Sequence, residues 1–524
     1  MTGLSTGRTL SFHLRALAPG LALITLTAGV GSASAATFID GGSLLISTTT
    51  YSDSGLVAGL VAGSSLLPGS KAGKTSTAVS NGDLATVFNN AAGDPSFGVT
   101  SAITLQDLNV TTSPGAVLGT LNVNPSLVST SFSSKSELSL NIAQTSSGFV
   151  ATFMGYAGGG VGNLDVSNSD TTAYSDPTNP VTSFYGPSYA FNRSVVAVNQ
   201  AGGVSTTQTL AYGGNNGRSA VLAPNGMYYT VGNSNNGSGT PSQLTTTTGL
   251  EVVTPGPTPN STMIAPTYQS VPGDKAGKDN NFRGLTLYNG NLYFTKGSGS
   301  NGIDTVYTVS NPGGALPTAA TANSAVVSVL PGFSTSPAKA AADFTPFGLF
   351  FANSDTLYVA DEGSGDATDA SLNAGLEKWS LVSGIWKLDY TLQSNLIGQT
   401  YDVSGVNSGM PGTWPTVTTS GLRDLAGRVN ADGTVTLWAV TATTSASGDN
   451  GADPNEIVEI NDSLGATTLP TSEQFSVLDG PEYGLRYGGL AYAAAPEPSA
   501  WALMLIGVGG LGLAIRSRRR PVAV

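Results

Sequence analysis

Short apolar runs, each bounded by turns rich in Gly, Asn, Ser and Thr, recur through most of the chain. The clearest unit opens with Phe282-Arg283-Gly284-Leu285-Thr286-Leu287-Tyr288, turns at Asn289-Gly290 and returns through Asn291-Leu292-Tyr293-Phe294-Thr295. Two strand-like runs joined by Asn-Gly predict a tight hairpin, because both turn residues tolerate the left-handed backbone it needs. A third strand is predicted at 305–309 and a fourth at 325–330, before Pro331-Gly332. Related units start at Arg218, at Phe347 and at Leu425, the last with a turn at Asp432-Gly433. Four-stranded units repeating about every 60 to 70 residues predict the blades of a β-propeller. The fold class is therefore all-β, with six to eight blades and about seven as the preferred count. Weaker strand signals at 43–47, 101–105, 116–123, 138–142 and 149–154 supply two or three of them. The run 487–492 reads as another first strand, one that pairs with N-terminal strands and closes the ring, which removes exposed edges. Two β-sandwich domains or a β-solenoid are the alternative architectures. Tyr293, Tyr307, Tyr358, Trp379 and Trp438 follow the strand period and are expected to pack between blades.

The two ends depart from this pattern. Arg8, His13 and Arg15 precede an apolar run that finishes in small residues, Ala33-Ser34-Ala35. These are the parts of a secretory signal helix, spanning 1–35 and cleaved after Ala35. Its users would be the Sec export machinery and signal peptidase. At the other end stand Pro496-Glu497-Pro498, an uncharged stretch at 499–515, and Arg516, Arg518, Arg519 and Arg520. The two prolines resist helix formation. At 1.5 Å per residue the uncharged stretch forms a transmembrane helix just long enough to cross a bilayer. The arginines favour the cytoplasmic side, which leaves the body outside. The body spans 36–494 and the tail 495–520.

This three-part tail resembles the PEP-CTERM sorting signal of Gram-negative bacteria. The resemblance implies that an exosortase recognises Pro496, Glu497 and Pro498 and that the membrane anchor is transient. It also implies a setting at the cell surface, in the exopolysaccharide matrix of biofilms. Ala495 stands where that family often has valine.

Composition narrows the chemistry of the body. The chain has no cysteine, and its one histidine, His13, lies in the signal segment. Disulfides, thiolate nucleophiles, Ser-His-Asp catalysis and His-ligated zinc are thereby removed. Of 21 basic residues, Arg8, Arg15, Arg516, Arg518, Arg519 and Arg520 lie in the ends, whereas of 33 acidic residues only Glu497 does; the body is left at −17. A body of that sign does not bind nucleic acid through phosphates.

Against this acidic background the six body arginines stand out. Arg218, Arg283, Arg423, Arg428 and Arg486 open or adjoin predicted first strands, with Asp279 and Asp424 near them. First strands line a propeller's channel, so these groups are candidates for a channel-mouth site that takes an anionic or sugar ligand, including polysaccharide. Blade-to-blade ion pairing is the structural alternative. Asp361, Asp366, Asp449 and Asp453 lie in oxygen-rich loops of the kind that hold Ca²⁺, without the spacing of a known calcium motif; no other cofactor is expected. The segments 70–75 and 272–279 look like phosphate loops but fail the spacing, and repeated turns account for both. The resulting expectation is a non-enzymatic, exported binding or scaffold module. Its rival is a carboxylate- or Ca²⁺-dependent glycosidase or lactonase, which needs two close acids in the channel mouth.

Overall fold

The computed structural model describes residues 37–495, apart from 69–74, 81–87, 90–96, 173–188, 235–246, 266–280, 298–302, 312, 337–343 and 366–373. The signal segment, the helix and arginines of the tail, Pro496, Glu497, Pro498, Asp279 and Asp366 lie outside the described residues, as do nearly all of the two phosphate-loop-like turns. The described residues all belong to one compact unit. Among the described residues it is all-β, with only single-turn 3-10 helices at Val57–Gly59, Val166–Asn168 and Ala322–Ser324. No helix there is long and apolar enough to cross a membrane.

Four sheets are antiparallel meanders in chain order. The first runs Gly217–Leu222, Tyr228–Gly232, Gly249–Val253 and Thr262–Met263, and the second Phe282–Tyr288, Asn291–Lys296, Thr305–Ser310 and Val326–Val329. The third runs Pro346–Asn353, Thr356–Asp361, Gly375–Val382 and Ile385–Leu392. The fourth has five strands, Thr400–Asn407, Met410–Val429, Thr434–Thr444, Ile457–Ser463 and Ser476–Asp479. The hairpin read from Asn289-Gly290 has both residues at positive φ, 47° and 75°, as its two-residue turn requires.

The N-terminal strands join a single nine-stranded sheet that also takes in the last strand of the body. Ser43–Thr50 pairs on one side with Thr100–Asn109 and on the other with Leu485–Ala493, so that Leu45 faces Ala491. The first and last strands of the body are thus held together by a ladder of backbone hydrogen bonds. In the same sheet Gly148–Ala157 pairs with Asn141–Thr145 and Arg193–Asn199, and Arg193–Asn199 with Val204–Thr209. The sheet therefore holds two four-stranded groups, bridged by Val128–Ser131.

The opening strands of these groups meet one another in sequence, which makes the arrangement propeller-like. Asn141 Nδ2 donates to Ser219 Oγ at 3.0 Å, and Arg218 Nη1 to the Phe282 carbonyl at 3.1 Å. Thr295 Oγ1 donates to the Phe347 carbonyl, and Gly348 lies against the backbone of Arg423 and Leu425. Asp424 Oδ2 accepts the Leu490 N–H at 2.9 Å and the Leu140 N–H at 3.1 Å, and so returns the path to its start. The core lies between successive sheets. Val221, Tyr229 and Leu250 of one meet Phe282, Leu285 and Tyr307 of the next. Tyr358, Leu376 and Leu392 likewise meet Leu422, Leu437 and Ile460. Burying each such side chain contributes about 1.5–3 kcal/mol. Tyr307, Tyr358 and Trp438 are buried, Trp379 stacks on Phe333 at 4.1 Å and Tyr293 leans on Phe351, so all five aromatic positions pack.

Close approach of opening strands demands small residues. A Cβ placed on Gly284 would stand 1.9 Å from the Phe347 carbonyl oxygen. Gly284→Ala should therefore destabilise the body by about 1–3 kcal/mol in urea unfolding. Gly465→Ala, where nothing lies within 4 Å, should leave the midpoint unchanged. Equal midpoints for the two variants would refute tight packing at this joint.

Candidate functional site

Three arginines occupy the second position of an opening strand: Arg218 in Gly217–Leu222, Arg283 in Phe282–Tyr288 and Arg486 in Leu485–Ala493. Their shared position sets them at one end of the set of strands. Arg423, from the long strand Met410–Val429, joins them, because it lies where Gly348 of the neighbouring sheet touches that strand's backbone. Phe347 takes the corresponding position in Pro346–Asn353, and its ring lies beneath the Arg283 guanidinium at 5.3 Å. All four guanidiniums are buried.

One carboxylate serves two of them. Glu362 accepts hydrogen bonds from Arg283 Nη1 at one oxygen and from Arg423 Nε at 3.2 Å at the other. Burial alone would raise its pKa, but Arg283, Arg423 and Lys135 together hold it far below the usual carboxylate range. Arg218 donates to the Phe282 carbonyl and to Asn281, and Arg486 Nε to the Phe132 carbonyl at 2.8 Å. Neither forms an ion pair with a carboxylate among the described residues, and Arg218 Nε and Arg486 Nη2 are buried without a hydrogen-bond partner. Burial and the neighbouring Arg283 push Arg218 down to about 9; burial and Arg423 push Arg486 down to about 10. Both stay protonated at neutral pH.

The remaining neighbours come from the connection between Val128–Ser131 and Asn141–Thr145. Lys135 is open to water, yet the surrounding protein and the guanidiniums of Arg423 and Arg283 lower its pKa against the pull of Glu362. Glu137 is buried, with Oε2 accepting from Thr130 Oγ1 at 2.7 Å and from the Ser131 N–H at 2.9 Å. Tyr156 Oη donates to its Oε1 at 2.5 Å. Burial raises Glu137, against these three donors and Arg486, which favour its charged form. Asp449, pushed up to about 6 by burial, accepts the Gly451 N–H and feels Lys135. The cluster thus carries more cationic than anionic groups inside an acidic protein.

Two sequence candidates belong elsewhere. Arg428 lies at the far end of the strand that holds Arg423, over the rings of Trp438 and Tyr492 at 5.7 Å each, with Nε bonded to Asn430. Five residues of extended chain, about 17 Å, carry it away from the cluster. Asp424 is a buried staple between strands, fully engaged with Ser139, Leu140 and Leu490. Sequence reasoning missed Glu137, Lys135 and Tyr156. It left Arg193 unassigned. Arg193 is buried and spent on backbone carbonyls of Ser167, Ser169, Phe191 and Asn215.

The calcium candidates are held by protein donors. Asp361 accepts from Gly363, Thr345 N–H and Thr345 Oγ1, and Asp453 from Trp414, Ser445 and Ser447. Among the described residues no three acids gather as a metal site.

A propeller-like all-β body with an axial cluster of guanidiniums defines the class. Residues 494–520 match the PEP-CTERM protein-sorting motif. The chain therefore carries that sorting motif, which implies export and sorting to the cell surface with an exosortase as processing partner. No curated protein matches the chain significantly. Among solved structures, a mutant of the Bombyx mori GH32 β-fructofuranosidase BmSUC1 in complex with sucrose is 12% identical, with 66% of this chain and 64% of that enzyme covered and a TM-score of 0.28. The match spans just under two thirds of that enzyme's length. A triple mutant of AofleA from Arthrobotrys oligospora is 12% identical over 69% of this chain and 91% of its own, at 0.27. A family 43 arabinoxylan arabinofuranohydrolase from Bacillus subtilis in complex with cellotetraose is 9% identical over 86% and 94%, at 0.30. At TM-scores this low the likenesses are loose, and none of these proteins' activities passes to this chain.

Removing the shared counter-charge should be severe. Glu362→Gln leaves Arg283 and Arg423 buried together and should lower stability by about 3–5 kcal/mol. An unchanged denaturation midpoint would show that the pair does not depend on it. The pH response follows from Asp107, Asp361, Asp424 and Asp449, each pushed up to about 6 by burial. The folded state binds their protons more tightly than the unfolded chain, so their charging destabilises the fold as pH rises through about 4 to 6. Glu362 acts oppositely, but its contribution is lost only as pH falls below the ordinary carboxylate range. The body has no histidine to offset the aspartates. Its melting temperature should therefore be higher at about pH 5 than at pH 7, and a melting temperature that is equal or rises from pH 5 to pH 7 would contradict the assignment.

Proposed function

We propose that this protein is a sorted cell-surface binding module whose body is a six-bladed propeller with an anion site at one end of its axis. The six-blade reading takes the nine-stranded sheet as two blades, one closed by Leu485–Ala493 and the other opened by Asn141–Thr145. It is one fewer than the strand periodicity favoured. The sequence supports export through the signal at 1–35, cleaved after Ala35. The PEP-CTERM motif supports exosortase processing at Pro496-Glu497-Pro498, with the 499–515 helix and its arginines as a transient inner-membrane anchor. The setting is the extracellular matrix, where acidic polysaccharide is a natural ligand class.

The observation that carries the binding role is the charge surplus. Four buried guanidiniums and Lys135 outnumber the neighbouring acids Glu362, Glu137 and Asp449, and two guanidiniums retain unpartnered N–H groups. Buried cations need a counter-ion, and an incoming anion supplies it. Binding is favoured over catalysis because the available acids are occupied: Glu362 by two arginines, Glu137 by Tyr156, Thr130 and Ser131.

Sulfate, phosphate and uronate oligosaccharides, titrated separately, provide the test. At least one should raise the melting temperature saturably, and Arg218→Gln or Arg486→Gln should weaken that binding about tenfold or more. No saturable response, or equal affinity in both variants, would end the reading. Export is tested independently. In a strain with an exosortase the mature protein should lack the mass of the tail, and Glu497→Ala should restore it; an uncut tail in both would refute processing.

A further inference from the structure

A second buried ion pair lies off the axis and joins two neighbouring sheets. Lys378, in Gly375–Val382, places Nζ 2.8 Å from Oδ2 of Asp462, in Ile457–Ser463, and both side chains are essentially inaccessible to water. Tyr358 Oη donates to Oδ2 at 2.5 Å and Tyr390 Oη to Oδ1 at 2.6 Å, so each carboxylate oxygen has a phenol donor. The same two rings lie 5.7 and 5.3 Å from Nζ, which also donates to Tyr390 Oη and the Ser463 carbonyl. A third acid completes the group. Glu473 stands beside Asp462, its Oε2 is buried without a donor, and burial together with the Asp462 carboxyl pushes it up to about 7.

An amine in contact with a carboxyl, two hydroxyl donors on the carboxyl oxygens, a proton-carrying acid alongside and no water are the requirements for amide formation. We propose that Lys378 and Asp462 condense to an intramolecular isopeptide bond that ties the third sheet to the fourth. Glu473 passes its proton to Asp462 and then takes one from the ammonium, and the freed Nζ attacks Cγ of Asp462. The Nζ–Cγ bond forms, one Cγ–O bond breaks, and that oxygen leaves as water. The ammonium brings three protons and the two carboxyls share a fourth. Two depart with the water, one stays on the amide nitrogen and one stays on Glu473, so no oxidant or other reagent is needed. The tyrosine hydroxyls face the oxygens where negative charge builds up in the tetrahedral intermediate. Contact at hydrogen-bond distance supplies the proximity that a reaction in water lacks. The product also removes a buried ion pair, whose desolvation is costly, in favour of a neutral amide. An exported chain without cysteine has no disulfide to make such a tie.

Peptide mapping of the denatured, fully digested full-length protein by mass spectrometry is decisive. It should yield a branched peptide that joins the Lys378 and Asp462 segments and is lighter than their sum by one water. Lys378→Met should abolish it. Recovery of both segments wholly as linear peptides from the wild-type protein would overturn the proposal. Glu473→Gln preserves the side chain's shape and should slow formation of the branched peptide about tenfold or more. Formation at the wild-type rate would remove Glu473 from the reaction.

Discussion

The structure turns on the sharing of one carboxylate by two buried guanidiniums. Glu362 leaves the end of the strand Thr356–Asp361 and is clasped by Arg283 from the sheet before it and Arg423 from the sheet after it. A charge placed there holds three consecutive sheets in register at their shared end. The arrangement stabilises only as a set, because any one member left alone would be a buried, uncompensated ion. Arg218 and Arg486 extend the cluster beyond what Glu362 can neutralise, and the proposed anion site rests on that excess.

The ring imposes its own constraint on side-chain size. Where opening strands approach, Gly284, Gly348 and Gly489 leave room for the next strand's backbone or for Leu138. Where a side chain is present at a joint, it bonds across: Asn141 to Ser219, Arg218 to Phe282, Asp424 to Leu490. Closure through Ser43–Thr50 and Leu485–Ala493 then fixes the first and last parts of the body against each other. The arginines are held in place by the same contacts that close the ring, so site and fold are not separable.

Much of this was legible in the sequence, for local reasons. Hairpins announce themselves through strand alternation and Asn-Gly turns, and the run 487–492 reads as a first strand from its pattern alone. The positions of Arg218, Arg283 and Arg486 repeat because the units repeat. What stayed hidden is non-local. Glu137 and Lys135 sit in a serine-rich connection with no strand period, and Tyr156 looks like any strand aromatic until the fold brings it to Glu137. Arg428 shares a strand with Arg423, and only register tells which end of that strand each occupies. The grouping of the N-terminal strands was hidden for the same reason, because they merge into one nine-stranded sheet.

The most direct measurement is a high-resolution crystal structure of the protein isolated from its own cell surface. The account predicts density for a bound anion within hydrogen-bonding distance of Arg218 Nε, Arg486 Nη2 and Lys135. Ordered water alone at those atoms, with every guanidinium matched by a protein carboxylate, would contradict it.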